Sequence, residues 1–336
     1  PNPVKTRLCE YLPDQLVPGT VSVVPCDPLP GDGFREQGAG VFGERTRANL
    51  KIQEGCEFFC SYCIVPYARG PARSRDWDDW LREARDLVAH GYHELVLTGV
   101  NIATYGHQGR DLADVLLALL ELSGDFRIRL SSTEPGPILH RVIEVMAANP
   151  RICRFLHLPL QYGEDGILAR MNRRYRVTEY AEFAQLATHA LPGLCLGTDI
   201  IAGFPGETDA TFKVCKETIE RLPIDHLHVF TYSPREGTPA ASFSDQVPGN
   251  LATERADCLT QIGLRKAEEF ARSQVGQIVQ IVTEERNQAG NWEGWSDNYL
   301  RVEVPDFSGQ ENALISVRLT HASHGRHVLG QHVEES

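Results

Sequence analysis

Glu54-Gly55-Cys56-Glu57-Phe58-Phe59-Cys60-Ser61-Tyr62-Cys63 is the stretch on which the reading of this chain turns. It is a C-x-x-x-C-x-x-C run with aromatic residues between the thiols. Three thiolates on one tight loop can ligate three irons of a four-iron, four-sulfur cluster, whose usual complement of protein thiolates is four. The fourth iron then stays open to bind and reduce another molecule. A structural zinc site wants four ligands, commonly as two separated pairs, and no obvious fourth partner follows here. Disulfide frameworks belong to small secreted domains, whereas this chain has 336 residues, nine cysteines and no secretory signal. The spacing favours a cluster over zinc, and zinc over disulfides.

Outward from this run the chain alternates regularly. Short apolar strand candidates lie at Leu50–Gln53, Glu94–Thr98, Arg127–Ser132, Phe155–Leu160, Cys195–Ile201 and His226–Tyr232. Between them, Trp77–His90, Leu112–Leu122, Ile138–Ala148, Glu179–Ala190 and Asp209–Arg221 carry apolar residues at three- and four-residue spacing. Strands recurring after amphipathic helices predict parallel βα units of the α/β class. Six units make a partial (β/α)6 barrel, not the closed barrel of eight. Right-handed crossovers place the helices outside and gather the strand C-termini at one mouth. The motifs obey that rule. The cysteine loop follows strand one, Thr98–Asn101 strand two and Ser131–Pro135 strand three. His157–Gln161, Asp199–Glu207 and Tyr232–Pro239 end strands four to six.

Residues 1–44 are rich in Pro and Gly and read as a linker or a domain remnant, with one short strand candidate at Leu16–Val24. The start at Pro1 suggests a fragment of a longer protein. The core domain is set at 45–272, ending in a long helix over Leu251–Ser273. Residues 273–336 read as a small all-β, OB-like module, with strand candidates at Val275–Thr283, Tyr299–Val304 and Ala313–Thr320.

The net charge of −12 argues against indiscriminate nucleic-acid binding. Yet Arg45, Arg47, Lys51, Arg69, Arg73 and Arg75 outnumber Glu54 and Glu57 around the cysteine run, and Arg170, Arg173, Arg174 and Arg176 form a second basic cluster. No apolar run approaches the roughly 18 residues of a membrane span. A soluble, cytoplasmic protein without membrane partners is expected.

The chain resembles the methylthiotransferases of the radical S-adenosylmethionine (SAM) superfamily, the MiaB, MtaB and RimO group. The resemblance rests on IQEGCEFFCSYCIVPYARGPARSR (Ile52–Arg75), LTGVNIATYG (Leu97–Gly106), LHLPLQYG (Leu156–Gly163), RMNRRY (Arg170–Tyr175), DIIAGFPGET (Asp199–Thr208) and YSPREGTPAA (Tyr232–Ala241). ARGPARSR and LTGVN followed by YG look most like the MtaB branch, which methylthiolates threonylcarbamoyl-adenosine in tRNA. MiaB-like action on isopentenyl-adenosine ranks second and RimO-like modification of a ribosomal aspartate third. Residues 273–336, with Gly294–Tyr299, resemble a TRAM domain. Members of the group carry an N-terminal domain with a second cluster, and Cys9 and Cys26 here do not match its context. That domain is expected to be missing, and the second cluster with it.

The resemblance implies a SAM-binding 4Fe-4S cluster on Cys56, Cys60 and Cys63. It implies reductive cleavage of SAM to a deoxyadenosyl radical, tRNA as substrate, an electron donor such as flavodoxin or ferredoxin, and a sulfur donor. Strand-end position then assigns SAM contacts to Tyr62, Gly99, Asn101, Ser132, Glu134, Gln161, Arg173 and Asp199. RNA contacts fall to Arg69, Arg73, Arg75, Arg174, Trp295 and Tyr299. Gly203 and Gly206 read equally well as turn glycines, and His157 as a packed strand-end residue. Cys153, Cys195, Cys215 and Cys258 read as buried structural thiols. No mononuclear metal is assigned, because no H-x-x-x-H pair occurs on a helix. Two rival classes stand beside the enzyme reading: an RNA-binding protein with a structural metal site, and a radical SAM enzyme acting on a small molecule.

Overall fold

The six strands of the alternation are present in sequence order: β1 (Arg47–Lys51), β2 (Glu94–Thr98), β3 (Arg127–Leu130), β4 (Phe155–His157), β5 (Cys195–Ala202) and β6 (His226–Thr231). The structure, a computed structural model, describes residues 34–35 and 46–333. The strand expected at Leu16–Val24, Cys9, Cys26 and nearly all of the expected linker lie outside the described residues. Strands β1-β2-β3 form one parallel sheet and β4-β5-β6 another. Parallel bridges Ile128–Ile152 and Ser132–His157 join them edge to edge, giving an incomplete six-stranded barrel.

Helices α1 (Trp77–Ala89), α2 (Leu112–Leu120), α3 (Ile138–Ala148), α4 (Val177–Ala190) and α5 (Asp209–Arg221) connect the strands. Asp76 starts α1 by accepting a hydrogen bond from the Asp79 amide at 3.2 Å, and Asp111 caps α2 in the same way. The long helix α6 (Gly249–Ser273) runs along β5 and β6. Alternate strand residues point outward into the core under these helices. Leu50, Leu95, Leu97, Ile128 and Leu130 are buried there with Trp80, Ala84, Leu116, Val142 and Ile143. The opposite parity carries polar groups, among them Asn49, Arg129, His157, Asp199 and His228, which face the barrel interior.

After α6 a closed five-stranded barrel forms from β7 (Ile278–Arg286), β8 (Trp292–Ser296), β9 (Arg301–Val304), β10 (Leu314–Ala322) and β11 (His327–His332), in the order β7-β8-β9-β11-β10. Val279, Ile281, Leu300, Val302, Val317 and Val328 fill it. Strands β8 and β11 were not anticipated. Each is short and interrupted by a glycine, Gly294 or Gly330, where a neighbouring strand leaves no room for a Cβ.

A buried charge cluster joins the two barrels. Glu94, wholly enclosed, accepts from Arg127 Nε at 2.6 Å and from Arg129 Nε at 2.7 Å. Arg127 also donates to the Gln280 and Trp295 carbonyls, each at 2.6 Å, and Arg129 to that of Ser296 at 2.9 Å. Beside it, Tyr299 is stacked between Phe155 and Trp295, with ring centroids 4.1 and 4.7 Å away. Both faces of Tyr299 are therefore covered, and the sequence expectation that it stacks RNA bases is corrected: it is a junction residue. Trp295 belongs to the same stack, with the Arg326 guanidinium 5.1 Å from its ring.

Burial would raise the Glu94 carboxyl, but the two arginines overcome it and hold it down at about 2 from 4.5. A carboxyl depressed in the folded state contributes stability that is present above pH 4.5 and lost as pH falls towards 2. Glu94→Gln should cost about 3 kcal/mol at neutral pH, by loss of that charge and by leaving two buried guanidiniums uncompensated. Denaturant unfolding followed from pH 7 to pH 3 should show a shallower acid dependence in the variant.

Candidate active site

The cysteine loop leaves β1 through the short hairpin Gln53–Glu54/Arg73–Ser74. Gly55 has φ 74°, and a Cβ there would lie 1.9 Å from the Pro71 carbonyl oxygen, so only glycine lets the loop turn under its own return strand. Cys56 N donates to the Gly70 carbonyl at 3.1 Å and Cys63 N to that of Cys60 at 2.9 Å. All three cysteines are free thiols, Cys60 buried and the other two half-buried. Burial pushes the Cys56 and Cys63 thiols up, and the neighbouring Cys60 sulfur raises both further. Among the described residues, His157, Asp199 and His228 are the one group of three His, Cys, Asp or Glu donors within 4.8 Å of each other; the cysteines do not form such a group. The thiols are near neighbours without the mutual contact that a single tetrahedral ion imposes, which suits a multinuclear group better than one zinc.

The segment Arg170–Tyr175 grips this loop from across the mouth. Ser61 Oγ donates to the Arg170 carbonyl at 2.7 Å, and Ser61 N to that of Met171 at 3.0 Å. Asn172 Nδ2 donates to the carbonyls of Phe58 and Phe59 at 3.2 and 2.9 Å, and Arg174 to that of Glu57 at 2.8 Å. Phe59 holds φ 48°, unusual for an aromatic residue and found where surroundings over-determine the backbone, whereas Asn172 at 60° is a residue that tolerates the left-handed region. Arg173 reaches deepest. Its guanidinium pairs with Glu134, donates to Tyr175 Oη at 2.7 Å and to Tyr62 Oη at 3.4 Å, and lies 3.3 Å from Cys60 Sγ.

A cavity of about 760 Å³ opens beside this grip, lined by Phe58, Asn101, Glu134, Arg173 and Tyr175 among others. Burial pushes the Glu134 carboxyl up although Arg173 opposes it. Asn101 is 3% exposed; its Oδ1 caps the turn Ile102–Thr104 by accepting from Ala103 N at 3.2 Å, while its buried Nδ2 has no partner. A buried, unpartnered donor on a cavity wall is free to donate a hydrogen bond to a ligand or a water in that cavity.

Of the residues expected to contact SAM, Asn101, Glu134 and Arg173 therefore line one cavity, and Tyr62 touches it through Arg173. Gly99 does something else: a Cβ there would lie 2.9 Å from Gln53 Cβ. It lets Gln53 Oε1 accept the amides of Val100 and Asn101, each at 2.9 Å. Gln53 was missed in the sequence; its one signal is an amide at the end of an apolar strand. Ser132 is half-buried at the bridge to His157. Gln161, at φ 71°, joins β5 through its backbone, donating to the Asp199 carbonyl at 2.8 Å. Asp199 faces His157 and His228 instead of the cavity. Gly203 and Gly206 have left-handed φ and press on Ala252 and Arg170, as turn glycines do.

The arginine assignments divide. Arg174 is exposed at the rim, 4.6 Å over Phe58, and Arg69 is about half exposed and pairs with Glu54 at 3.0 Å. Arg75 is corrected: 1% exposed, it donates to Asp79 at 2.7 Å and pairs with Glu83, so it pins α1 from beneath and cannot face RNA. Its position one residue ahead of the α1 cap, four before Asp79, draws it in. Arg73 is also buried, with its guanidinium 5.7 Å from the Phe34 ring. Cys153, Cys195 and Cys215 are buried as expected, whereas Cys258 is only partly so.

Residues 50–219 match the Radical SAM superfamily. The chain belongs to that superfamily. The match spans the barrel from β1 through α5 and includes the cysteine loop. The chain is 38% identical over 298 residues to the threonylcarbamoyladenosine tRNA methylthiotransferase MtaB of Bacillus subtilis, covering 87% of this chain and 66% of that protein. It is 34% identical to MtaB of Thermotoga maritima, over 82% of this chain and 64% of that protein. It is 39% identical over 242 residues to the tRNA-2-methylthio-N(6)-dimethylallyladenosine synthase of Carboxydothermus hydrogenoformans, over 71% of this chain and 55% of that protein. The chain thus spans somewhat less than two thirds of the length of these relatives. Among solved structures, coproporphyrinogen III oxidase (HemN) of Escherichia coli, described as a radical SAM enzyme, superposes with a TM-score of 0.51 at 16% identity, over 76% of this chain and 66% of that one. That likeness shows the fold. The superfamily implies a 4Fe-4S cluster and SAM, and three clustered free thiols beside a cavity with an unmet donor fit both.

Asn172→Ala removes two hydrogen bonds to the cysteine loop, worth about 1.4 kcal/mol together. Amide exchange across Phe58–Cys63 should quicken by about tenfold, measured by hydrogen-exchange mass spectrometry.

Proposed function

We propose that this chain is the catalytic barrel and RNA-holding module of a radical SAM tRNA methylthiotransferase acting on N6-threonylcarbamoyladenosine at position 37, at carbon 2 of the base. The observation that carries the reading is the cysteine loop fixed at the barrel mouth against a cavity lined by Asn101, Glu134 and Arg173. In this reading Cys56, Cys60 and Cys63 hold the 4Fe-4S cluster, and the cavity takes SAM. When bound, that pair supplies one-electron chemistry that makes a carbon-centred radical. The remaining work belongs to the chain's residues. Asn101 Nδ2 and Glu134 supply hydrogen-bonding partners for SAM's polar end, and Arg173 holds Glu134 in place. Tyr62 and Phe58 exclude water around the loop.

The branch within the group rests on the barrel interior. A second cavity, about 720 Å³, lies between β1–β4 and the small barrel and is lined by Asn49, Arg129, Ser131 and Tyr299 among others. With His157, Asp199 and His228 on the same inner face, this lumen suits a polar threonylcarbamoyl group better than an apolar dimethylallyl one. Residues 45–272 are then the radical SAM domain and 273–336 a TRAM domain. Arg69 and Arg174 face RNA at the rim. An electron donor and a sulfur donor complete the reaction in the cytosol.

Anaerobic reconstitution with iron and sulfide, then dithionite and SAM, should release 5′-deoxyadenosine. Cys60→Ser should abolish it, and Asn101→Ala should weaken SAM binding by about fivefold to tenfold, or about 1–1.4 kcal/mol. Mass spectrometry of tRNA nucleosides from cells lacking the full-length protein should show loss of the methylthio form of threonylcarbamoyladenosine. Loss of the dimethylallyl counterpart alone would move the assignment to the other branch.

A further inference from the structure

Inside the barrel, three side chains from three neighbouring strands converge. His157 is the last residue of β4, Asp199 lies in β5 and His228 in β6. The parallel register sets Asp199 directly opposite His228 and His157 two residues below it, opposite Gly197. His157 Nε2 lies 3.0 Å and His228 Nδ1 3.4 Å from the same oxygen, Asp199 Oδ1. All three donor atoms fall within 4.8 Å of one another. A tetrahedral ion with bonds of about 2.0–2.1 Å spaces its ligands about 3.3 Å apart, so both separations from Asp199 already match.

We propose that His157, Asp199 and His228 bind one divalent transition-metal ion of the zinc class, facing the barrel lumen. Two imidazoles and one carboxylate are a donor set that zinc, cobalt(II) and iron(II) accept and that calcium and magnesium do not favour. The ligands stand on strands, so their placement does not depend on a loop closing. Gly197 makes the room: a Cβ there would lie 3.0 Å from His157 Nδ1. His228 Nε2 meets His226 Nε2 at 2.6 Å, the outer hydrogen bond that fixes the ring of a metal-binding histidine. His157 is buried while His228 is about half exposed, which leaves an entry path and a free coordination position on the open side. That position would take water or an oxygen ligand. The sequence does not advertise the site, because its ligands come from three separate strands and not from one helix.

The site shares no residue with the cysteine loop and is tested with that loop disabled. The full chain carrying C56S, C60S and C63S is titrated with cobalt(II) and with zinc(II), and its fold is checked by far-ultraviolet circular dichroism. Binding of about one cobalt per chain is expected, with visible ligand-field bands and no thiolate charge-transfer band. Asp199→Ala and His228→Phe should each weaken binding by at least about tenfold. If the triple variant does not fold, zinc is counted by mass spectrometry in the wild-type chain loaded with iron and sulfide, where about one zinc beyond the iron is expected and H228F should remove it. No saturable binding below about 1 mM in a folded chain, or binding that survives both substitutions, overturns the proposal. Metal content is read without SAM cleavage, so a negative result here leaves the enzyme reading standing.

Discussion

A buried guanidinium must be surrounded by acceptors, and Arg173 meets that demand in a way that organises the whole mouth. Its side chain is 2% exposed and engages Glu134 after β3, Tyr175 and the Pro159 carbonyl after β4, and Tyr62 and Cys60 on the loop after β1. Four separate stretches of chain are thereby held at one point. Removing Glu134 would strand that charge in a low-dielectric setting, where an unpaired ion costs several kcal/mol. The arrangement ties the loop that carries the cysteines to the other strand ends of the mouth.

The same logic operates at the other end of the barrel. Glu94, Arg127 and Arg129 form a buried charge cluster whose leftover donors are spent on carbonyls of the small barrel. Neither unit can leave without exposing orphaned guanidinium groups. Stacking of Phe155 on Tyr299 and the Arg154–Asp297 pair at 2.6 Å add shape to that dependence. Relative placement of the two barrels is thus constrained by hydrogen-bond satisfaction as well as by apolar packing.

Much of this was legible in the sequence, and the parts that were not share a cause. Strand β2 and helices α3 and α5 fall on their expected bounds because apolar periodicity is local. The cysteine loop and the RMNRRY motif were singled out as chemistry-bearing, and they meet. What periodicity could not supply is the partner of each charge. Arg75 looked like a rim arginine and is a core one, since Asp79 and Glu83 stand one and two turns along α1. Tyr299 looked like an RNA platform and is sandwiched, since Phe155 lies 144 residues away in sequence. Strands β8 and β11 were hidden by glycines that a barrel interior requires.

Parallel strands covered by helices on both faces are near-continuous apolar runs. Here β3 reads Arg-Ile-Arg-Leu, and β5 and β6 carry Asp199, His226 and His228 at period two. Such alternation in a parallel sheet says that one face is not packed by helices and must be solvated or occupied. Combined with six strands instead of eight, it implies a lumen open at one side and lined with polar groups. A closed barrel of eight would fill that space with side chains. The missing pair of strands is therefore what leaves the lumen open, with the His157–Asp199–His228 cluster facing it.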